Sequence, residues 1–252
     1  MCYKNNTTCF YYVDDGIFMG PDSGAINKSI EDIERAGLDI EDKGNIEDYL
    51  GLNVEEQDNG NINLTQPKII DSIINDVQIV NNTAPQQTLT LSTKIIHHNA
   101  ASPPFDEHFI YQAVVGKLKF LEKITRPDIA YAKHQCTRFS QYPRAYHGDA
   151  IIQLLKYLKA TRLQGIMLDP EGSKSFEVYA DADFFGNWHH PTASDDTITV
   201  KSRTGYDILY AGCSIVWRSK LQSHIALSTM EAEYIALLQS LRNAIPMMQL
   251  LR

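Results

Sequence analysis

The spacing of apolar residues changes along this chain, and this change limits the folds that the chain can adopt. Short alternating runs and two helical stretches share residues 1–85, helical spacing alone fills 109–165, and alternating runs followed by a helical stretch return after residue 173. Alternation is typical of half-buried strands, whereas recurrence every three or four residues is typical of helices. The pattern therefore predicts two regions of mixed structure separated by a helical region.

The first region is predicted to contain a β-hairpin. Residues 9–13 and 17–19 are apolar and β-prone, and Asp14, Asp15 and Gly16 between them favour a turn. Further elements are expected along the same region: a helix at 23–36 that stops at Gly37, strands at 49–54 and 61–64, and a helix at 68–80. Residues 81–108 are rich in turn-forming residues and are predicted to be a loop.

The helical region shows three apolar stripes, which predict three short helices in a small bundle. The stripes contain Ile110, Ala113, Val114, Leu118 and Leu121; Ile129, Ala132, Cys136 and Phe139; and Ala150, Ile151, Leu154, Leu155 and Leu158.

The last region begins with strands predicted at 176–181, 205–210 and 214–218. Ser228 and Glu231 form a capping-box pattern that predicts the start of a helix. The predicted buried face of this helix consists of Tyr234, Leu237, Leu238 and Leu241. Because strands precede a helix here, this region is predicted to begin an α+β or α/β domain.

Charge is distributed unevenly along the chain. The formal net charge is −8, which by itself argues against a polyanionic partner. Residues 109–165, however, contain ten lysines and arginines against three acidic residues, and local field matters more than net charge. Four scattered cysteines indicate reduced thiols in an intracellular protein, and no apolar run is long enough to span a membrane.

Adjacent carboxylates at the predicted hairpin tip are the first candidates for chemistry. Asp14 and Asp15 lie between apolar strands, and two neighbouring carboxylates are not buried together without a cation. Mg²⁺ prefers such oxygen ligands. The alternative is an ordinary turn, since Asp and Gly favour turns, and the residues alone leave both interpretations open.

A series of motifs, in order along nearly the whole chain, resembles the Ty1/copia-type retrotransposon Pol polyproteins. Residues 12–15 resemble their YVDD box, 125–130 match TRPDIA, and 179–183 resemble YSDAD. Other similar stretches are 49–54 with 61–66, 111–118, 138–140, 155–159, 219–223 and 226–236.

The resemblance implies a segment of an RNA-directed DNA polymerase with ribonuclease H. The expected fold is α+β or α/β: a partial reverse-transcriptase palm at 1–85, a linker and helical thumb or connection at 86–165, and the first part of a ribonuclease H-like domain at 173–252. Expected partners are an RNA/DNA hybrid or primer–template duplex and the remainder of the polyprotein, without a membrane. The resemblance places the protein in a cytoplasmic particle or the nucleus.

The resemblance also assigns catalytic residues. Asp14 and Asp15 would be two of three palm carboxylates, and Asp181 and Glu233 the first two of the ribonuclease H site. All four would bind Mg²⁺ or Mn²⁺. Glu233 is preferred over Glu231, which the capping box already occupies. Each carboxylate also has a structural alternative: Asp181 as a strand-end residue and Glu233 as a solvated helix position.

The basic helical region is the expected nucleic-acid-binding part. Its candidate phosphate contacts are Lys117, Lys123, Arg126, Lys156, Lys159 and Arg162.

The family pattern extends beyond both ends of this sequence. Its first palm aspartate precedes the YVDD box, and two more ribonuclease H carboxylates follow the helix of Glu233. We therefore expect the isolated chain to lack measurable polymerase activity and to be inactive as a truncated segment. A second hypothesis is a degenerate or domesticated relic that binds nucleic acid without catalysis.

Overall fold

The computed structural model describes residues 2–4, 6–13, 15–20, 22–78, 102–106, 108–169, 173–188, 190 and 196–250. They belong to two compact units, Met1–Val54 and Glu55–Arg252. Helices and antiparallel sheets both occur, which is consistent with the α+β class. No described helix is both long and apolar enough to cross a membrane. The division into three domains stays a prediction, and most of the predicted loop lies outside the described residues.

The first unit begins with three antiparallel strands, in the order β1 (Cys2–Lys4), β2 (Thr7–Tyr12) and β3 (Asp15–Met19). The predicted hairpin is confirmed, but the predicted position of its turn is wrong. Tyr12 pairs with Asp15, so Asp15 and Gly16 belong to β3. Two-residue hairpin turns need positive φ values, and Val13 at this turn has a φ of 54°.

The predicted helix after the hairpin is confirmed as α1 (Ser23–Arg35). Its first turn is capped by the carboxylate of Asp22, which accepts a hydrogen bond from the Ala25 N–H at 2.7 Å. Gly37 has a φ of 90° just beyond the helix end, a conformation that glycine adopts without steric cost.

A second hairpin joins β4 (Asp48–Tyr49) to β5 (Leu52–Glu56). Leu50 and Gly51 form its turn with φ values of 53° and 79°. The prediction of one continuous strand at 49–54 is therefore wrong, because two successive positive φ values reverse the chain direction.

Four helices of the second unit surround one apolar core: α2 (Pro67–Val77), α3 (Tyr111–Ile124), α4 (Ala130–Thr137) and α5 (Ala145–Ala160). The predicted bundle is confirmed and also includes α2. Its fully buried side chains include Ile70, Ile73, Leu118, Leu121, Ile129, Ala132, Cys136, Ile151, Leu154, Leu155 and Leu158. Strands β6 (Ile62–Thr65) and β7 (Ile166–Leu168) pair beside the bundle.

Two predictions about these helices are wrong in detail. Ile110 is exposed because it lies at the N-cap position, before α3 begins, and Ala113 is exposed on the outward side of α3. The helix predicted to reach residue 80 ends at Val77, where Gln78 takes a left-handed φ of 52°.

The last part of the second unit is an antiparallel sheet covered by a long helix. Strands β8 (Phe176–Asp183), β9 (Arg203–Tyr210) and β10 (Cys213–Leu221) lie in the order β10-β9-β8. Helix α6 (Thr229–Leu250) packs across β8 and β9.

The side of α6 that faces the sheet differs from the predicted one. Its buried residues are small and recur every four positions: Ala232, Ala236, Ser240 and Ala244. Tyr234, Leu237, Leu238 and Leu241, predicted to be buried, are exposed, Tyr234 by 65%. Small side chains let the helix backbone lie close to the sheet, and the larger apolar side chains are left on the outer side.

Candidate catalytic carboxylates and basic surface

The hairpin tip presents one of its two predicted carboxylates. Asp15 begins β3 and is exposed, whereas Asp14 lies outside the described residues. Val13, the last residue described before Asp15, is 83% exposed and has a positive φ, which is strained for a β-branched residue. The tip is thus an exposed turn with local backbone strain, a feature that often marks functional sites.

Asp181 lies near the carboxyl end of β8 and is exposed. It pairs across the sheet with Gly205 of β9, and Ala182 pairs with Thr204. The β-branched and aromatic residues earlier in the strand account for its extended backbone.

Glu233 lies in the first turns of α6 and is exposed. The capping box that starts this helix is confirmed: the Glu231 N–H donates to Ser228 Oγ at 3.1 Å, and the Leu227 N–H donates to Glu231 Oε2 at 2.8 Å. Glu233 precedes Ala236 by three positions and Ser240 by seven, so it shares their side of the helix. That side faces the sheet, which supports Glu233 over Glu231 as the candidate.

Gln222, just after β10, connects the start of α6 to the sheet. Its Nε2 atom donates to the carbonyl oxygen of Ala232 at 2.9 Å and to Thr204 Oγ1 at 3.2 Å. Ala232 directly precedes Glu233, and Thr204 is the strand partner of Ala182, next to Asp181. These contacts place the first turn of α6, which contains Glu233, at the end of the sheet where the backbone of Asp181 lies. The sequence reasoning did not single out Gln222.

The two carboxylates fit a hard divalent cation by their chemistry. Asp181 and Glu233 supply exposed oxygen donors, and Mg²⁺ is commonly held by one or two carboxylates while it keeps several waters. Among the described residues, no three His, Cys, Asp or Glu side chains form a cluster that could hold a metal ion. Because Asp14 is outside the described residues, the Asp14–Asp15 pair is not tested.

Arg126 is placed differently from the predicted phosphate contact. Its side chain is 1% exposed, and it donates to Asp128 at 2.7 Å and to the Thr161 carbonyl oxygen at 3.0 Å. Burial opposes ionisation of Asp128, but the hydrogen bonds and positive charge of Arg126 hold the pKa of that carboxyl below its usual value. Arg126 is a structural residue, because its charge is already paired inside the chain.

Two more predicted contacts form ion pairs within the second unit. Arg162 makes a two-point contact with Asp71, in which its Nε donates to Oδ1 at 2.7 Å. Lys117 donates to Asp76 at 2.7 Å and to Ser72 Oγ at 2.7 Å. Both residues connect α2 to neighbouring segments. Lys123 is exposed on α3, and Lys156 and Lys159 are half-buried on α5.

The outward side of α3 has a feature that the sequence reasoning missed. Gly116 is exposed in the middle of the helix, and a Cβ atom added there would have no other atom within 4 Å. Lys119, Phe120 and Lys123 follow it by three, four and seven positions and are also exposed. A glycine inside a helical pattern was the available signal, since glycine weakens helices and permits close backbone approach.

Comparisons with known proteins give the family. A Saccharomyces cerevisiae protein described as a transposon Ty5-1 protein is 30% identical over 225 residues, which cover 89% of this chain and 69% of the yeast protein. This chain belongs to the Ty1/copia-type retrotransposon Pol polyproteins. The resemblance inferred from the motifs is thereby confirmed.

Longer Pol polyproteins match the same part of the chain. The retrovirus-related Pol polyprotein from transposon TNT 1-94 of Nicotiana tabacum is 34% identical over 89% of this chain and 16% of its own length. The corresponding polyprotein from transposon RE1 of Arabidopsis thaliana is 26% identical over 88% of this chain and 14% of its own length. This Pol chain thus corresponds to a segment of these relatives. No family model and no solved structure matches it.

Proposed function

We propose that this Pol segment takes part in hydrolysing the RNA strand of RNA/DNA hybrids and in RNA-directed DNA synthesis. The observation that carries the proposal is the pair of hydrogen bonds from Gln222, one to Ala232 next to Glu233 and one to Thr204, whose strand partner Ala182 is next to Asp181. Family membership supports it, because the chain aligns with retrovirus-related Pol polyproteins.

For RNA hydrolysis, Asp181 and Glu233 would bind Mg²⁺ or Mn²⁺. A divalent ion supplies a more acidic bound water and neutralises charge that develops at the phosphate. The chain contributes oxygen ligands from a strand and a helix, and secondary-structure elements hold ligands with less freedom than loops do. Both carboxylates are exposed, so a nucleic-acid strand has access to them.

For DNA synthesis, Asp14 and Asp15 would bind the same kind of ion at the hairpin tip. The exposed position of Asp15 and the strained backbone at Val13 support this role.

An RNA/DNA hybrid or primer–template duplex is the proposed nucleic-acid partner. The outward side of α3, with Gly116, Lys119, Phe120 and Lys123, offers positive charge, an aromatic ring and an open backbone. Lys156 and Lys159 add positive charge from α5. Lysines contact phosphates without reading sequence, so recognition would depend on the duplex and not on its bases.

The decisive experiment compares two glutamates two positions apart on α6. In a Pol polyprotein that carries this segment, Glu233→Gln should reduce cleavage of a labelled RNA strand in a hybrid by on the order of 100-fold or more, because a metal ligand is lost. Glu231→Gln is the matched control, since glutamine also completes a capping box. Its cleavage rate should stay within about twofold of the native rate, since its proposed role is structural.

Asp181→Asn should reproduce the loss seen with Glu233→Gln. Cleavage that survives both substitutions, or that falls equally in Glu231→Gln, would show that the carboxylates do not form the proposed site.

A further inference from the structure

Gln222 occupies a buried position that connects three parts of the second unit. Gln222 is 1% exposed, and its backbone N–H donates to the Ser202 carbonyl oxygen at 2.8 Å. Its side-chain Nε2 reaches β9 through Thr204 and the first turn of α6 through Ala232. A single amide group therefore connects the beginning of α6 to the end of β8-β9 where Asp181 lies.

Burial of the Gln222 amide costs free energy, because one of its polar atoms has no hydrogen-bond partner among the described residues. Among the described residues, the Gln222 Oε1 atom is buried and has no hydrogen-bond partner. A buried acceptor without a partner is destabilising, and an apolar side chain of similar size would avoid that loss. A glutamine here is explained if the position of α6 relative to the sheet matters more than the stability it contributes.

Other contacts between α6 and the sheet lie toward the far end of the helix, where Asn243 Nδ2 donates to the Tyr206 hydroxyl at 3.1 Å and Met247 packs against the sheet core. The buried stripe of α6 consists of Ala232, Ala236, Ser240 and Ala244. At the end that contains Glu233, the small side chains of Ala232 and Ala236 make few van der Waals contacts with the sheet. The two hydrogen bonds of Gln222 act at the end of the helix that contains Glu233.

We propose that Gln222 is a positioning residue that holds Glu233 in metal-binding register with Asp181. This inference rests on the proposed function, because it presupposes that the two carboxylates share a cation. Gln222 itself contacts neither carboxylate in the contacts described above. It acts through the backbone of Ala232 and through the strand pairing of Thr204 with Ala182.

The test is Mn²⁺ binding measured by calorimetric titration of the full chain with Asp14→Asn and Asp15→Asn, two changes that remove the other proposed cation site and are present in every variant compared. Gln222→Leu should weaken Mn²⁺ binding by about 10-fold, which is the lower end of the effect of residues that orient metal ligands. Thr204→Val removes only the hydrogen bond from Gln222 Nε2 to Thr204 Oγ1, at 3.2 Å, and keeps a β-branched side chain in the strand. It should weaken binding less than Gln222→Leu does, and it serves as the second variant if Gln222→Leu does not fold.

Gln66→Leu is the matched control. Gln66 is also 1% exposed and accepts a hydrogen bond from Thr125 Oγ1 at 3.0 Å in the helical part. Gln66→Leu should lower the free energy of unfolding in urea but leave the Mn²⁺ affinity unchanged. If Gln222 has only a structural role, Gln222→Leu should show the same result.

The carboxylate variants separate failure of this inference from failure of the proposed function. If the chain that lacks the Asp14 and Asp15 carboxylates does not bind Mn²⁺, or if its binding survives in both Asp181→Asn and Glu233→Gln, the proposed site and this inference are both overturned. If binding is lost in those variants but is unchanged in Gln222→Leu and Thr204→Val, the site stands and the positioning role of Gln222 is overturned.

Discussion

Arg126 connects separate segments of the second unit through one buried guanidinium. It donates to Asp128 at the turn before α4 and to the Thr161 backbone just after α5. The Tyr157 hydroxyl also donates to Asp128 at 2.7 Å, so the carboxylate is held from two sides. Removal of one member of such a pair is destabilising, because it leaves the other members without a partner.

Arg126→Ala should therefore destabilise the chain by about 3 kcal/mol, the cost of breaking a buried ion pair. Urea unfolding at pH 7 measures this change. Arg35→Ala is a suitable control, because Arg35 makes only exposed ion pairs on α1 and should contribute less than about 1 kcal/mol. Equal losses in the two variants would contradict the structural role of Arg126.

The same ion pair predicts a pH dependence. The pKa of Asp128 in the folded chain is below its ordinary value of 3.8. Its stabilisation is therefore fully present above about pH 4 and is lost as the pH falls through the lower, folded value. Unfolding experiments between pH 5 and pH 2 should show this loss in the native chain and a smaller one in Arg126→Ala. Parallel pH profiles would contradict it.

At the scale of helices and strands, α3 combines a buried side with an exposed side that we propose contacts nucleic acid. Leu118 and Leu121 fix its inner side in the bundle core. Gly116 on the outer side weakens the helix without any packing reason in the described residues, and its open backbone is consistent with the proposed close approach of a nucleic acid.

Gly116→Ala should raise the free energy of unfolding by about 1 kcal/mol, because alanine is the better helix former. The same change should weaken binding of a labelled RNA/DNA hybrid, since the added methyl group keeps the nucleic-acid backbone farther from α3. Thermal unfolding and fluorescence anisotropy measure the two effects. A more stable variant with unchanged affinity would exclude this side of α3 as a contact surface.

Local sequence patterns predicted the secondary-structure elements correctly more often than they predicted which side chains are buried or paired in the folded chain. The hairpin, the α1 stop at Gly37 and the Ser228–Glu231 capping box depend on neighbouring residues, and the structure confirms them. The buried side of α6 was mispredicted, because its large apolar side chains gave a stronger helical pattern than the alanine stripe that faces the sheet. The burial of Arg126 was not predicted, because sequence reports a charge but not whether a partner buries it.

At the scale of the whole molecule, the helical bundle and the β8–β10 sheet belong to one compact unit. Trp217 Nε1 of β10 donates to the Glu122 carbonyl oxygen of α3 at 2.9 Å, and Arg138 after α4 pairs with Asp196 at 2.5 Å. The proposed basic surface and the Asp181–Glu233 pair therefore lie in the same unit, as a duplex-binding segment with an adjacent cleavage site requires.

Despite the net charge of −8, the basic bundle should give salt-dependent binding to a hybrid duplex. Reversing the charge of both Lys156 and Lys159 to glutamate should weaken binding and lower the slope of log affinity against log salt by about 2, one for each phosphate contact. Lys28→Glu on α1 is the control, since it changes an exposed lysine of the acidic first unit. An unchanged slope in the double variant would remove α5 from the proposed surface.

The free edge of β8 has a consequence for how this chain behaves in solution. Within the described residues, β8 hydrogen-bonds to β9 alone, so its other edge resembles the strand edges through which proteins aggregate. Glu177, Asp181 and Asp183 are separated by even numbers of positions and share one face of β8. A second β8 docked along this edge would bring like charges together. These three acidic residues, which include the proposed metal ligand Asp181, would thus also provide colloidal stability, which bound cations or acid would diminish.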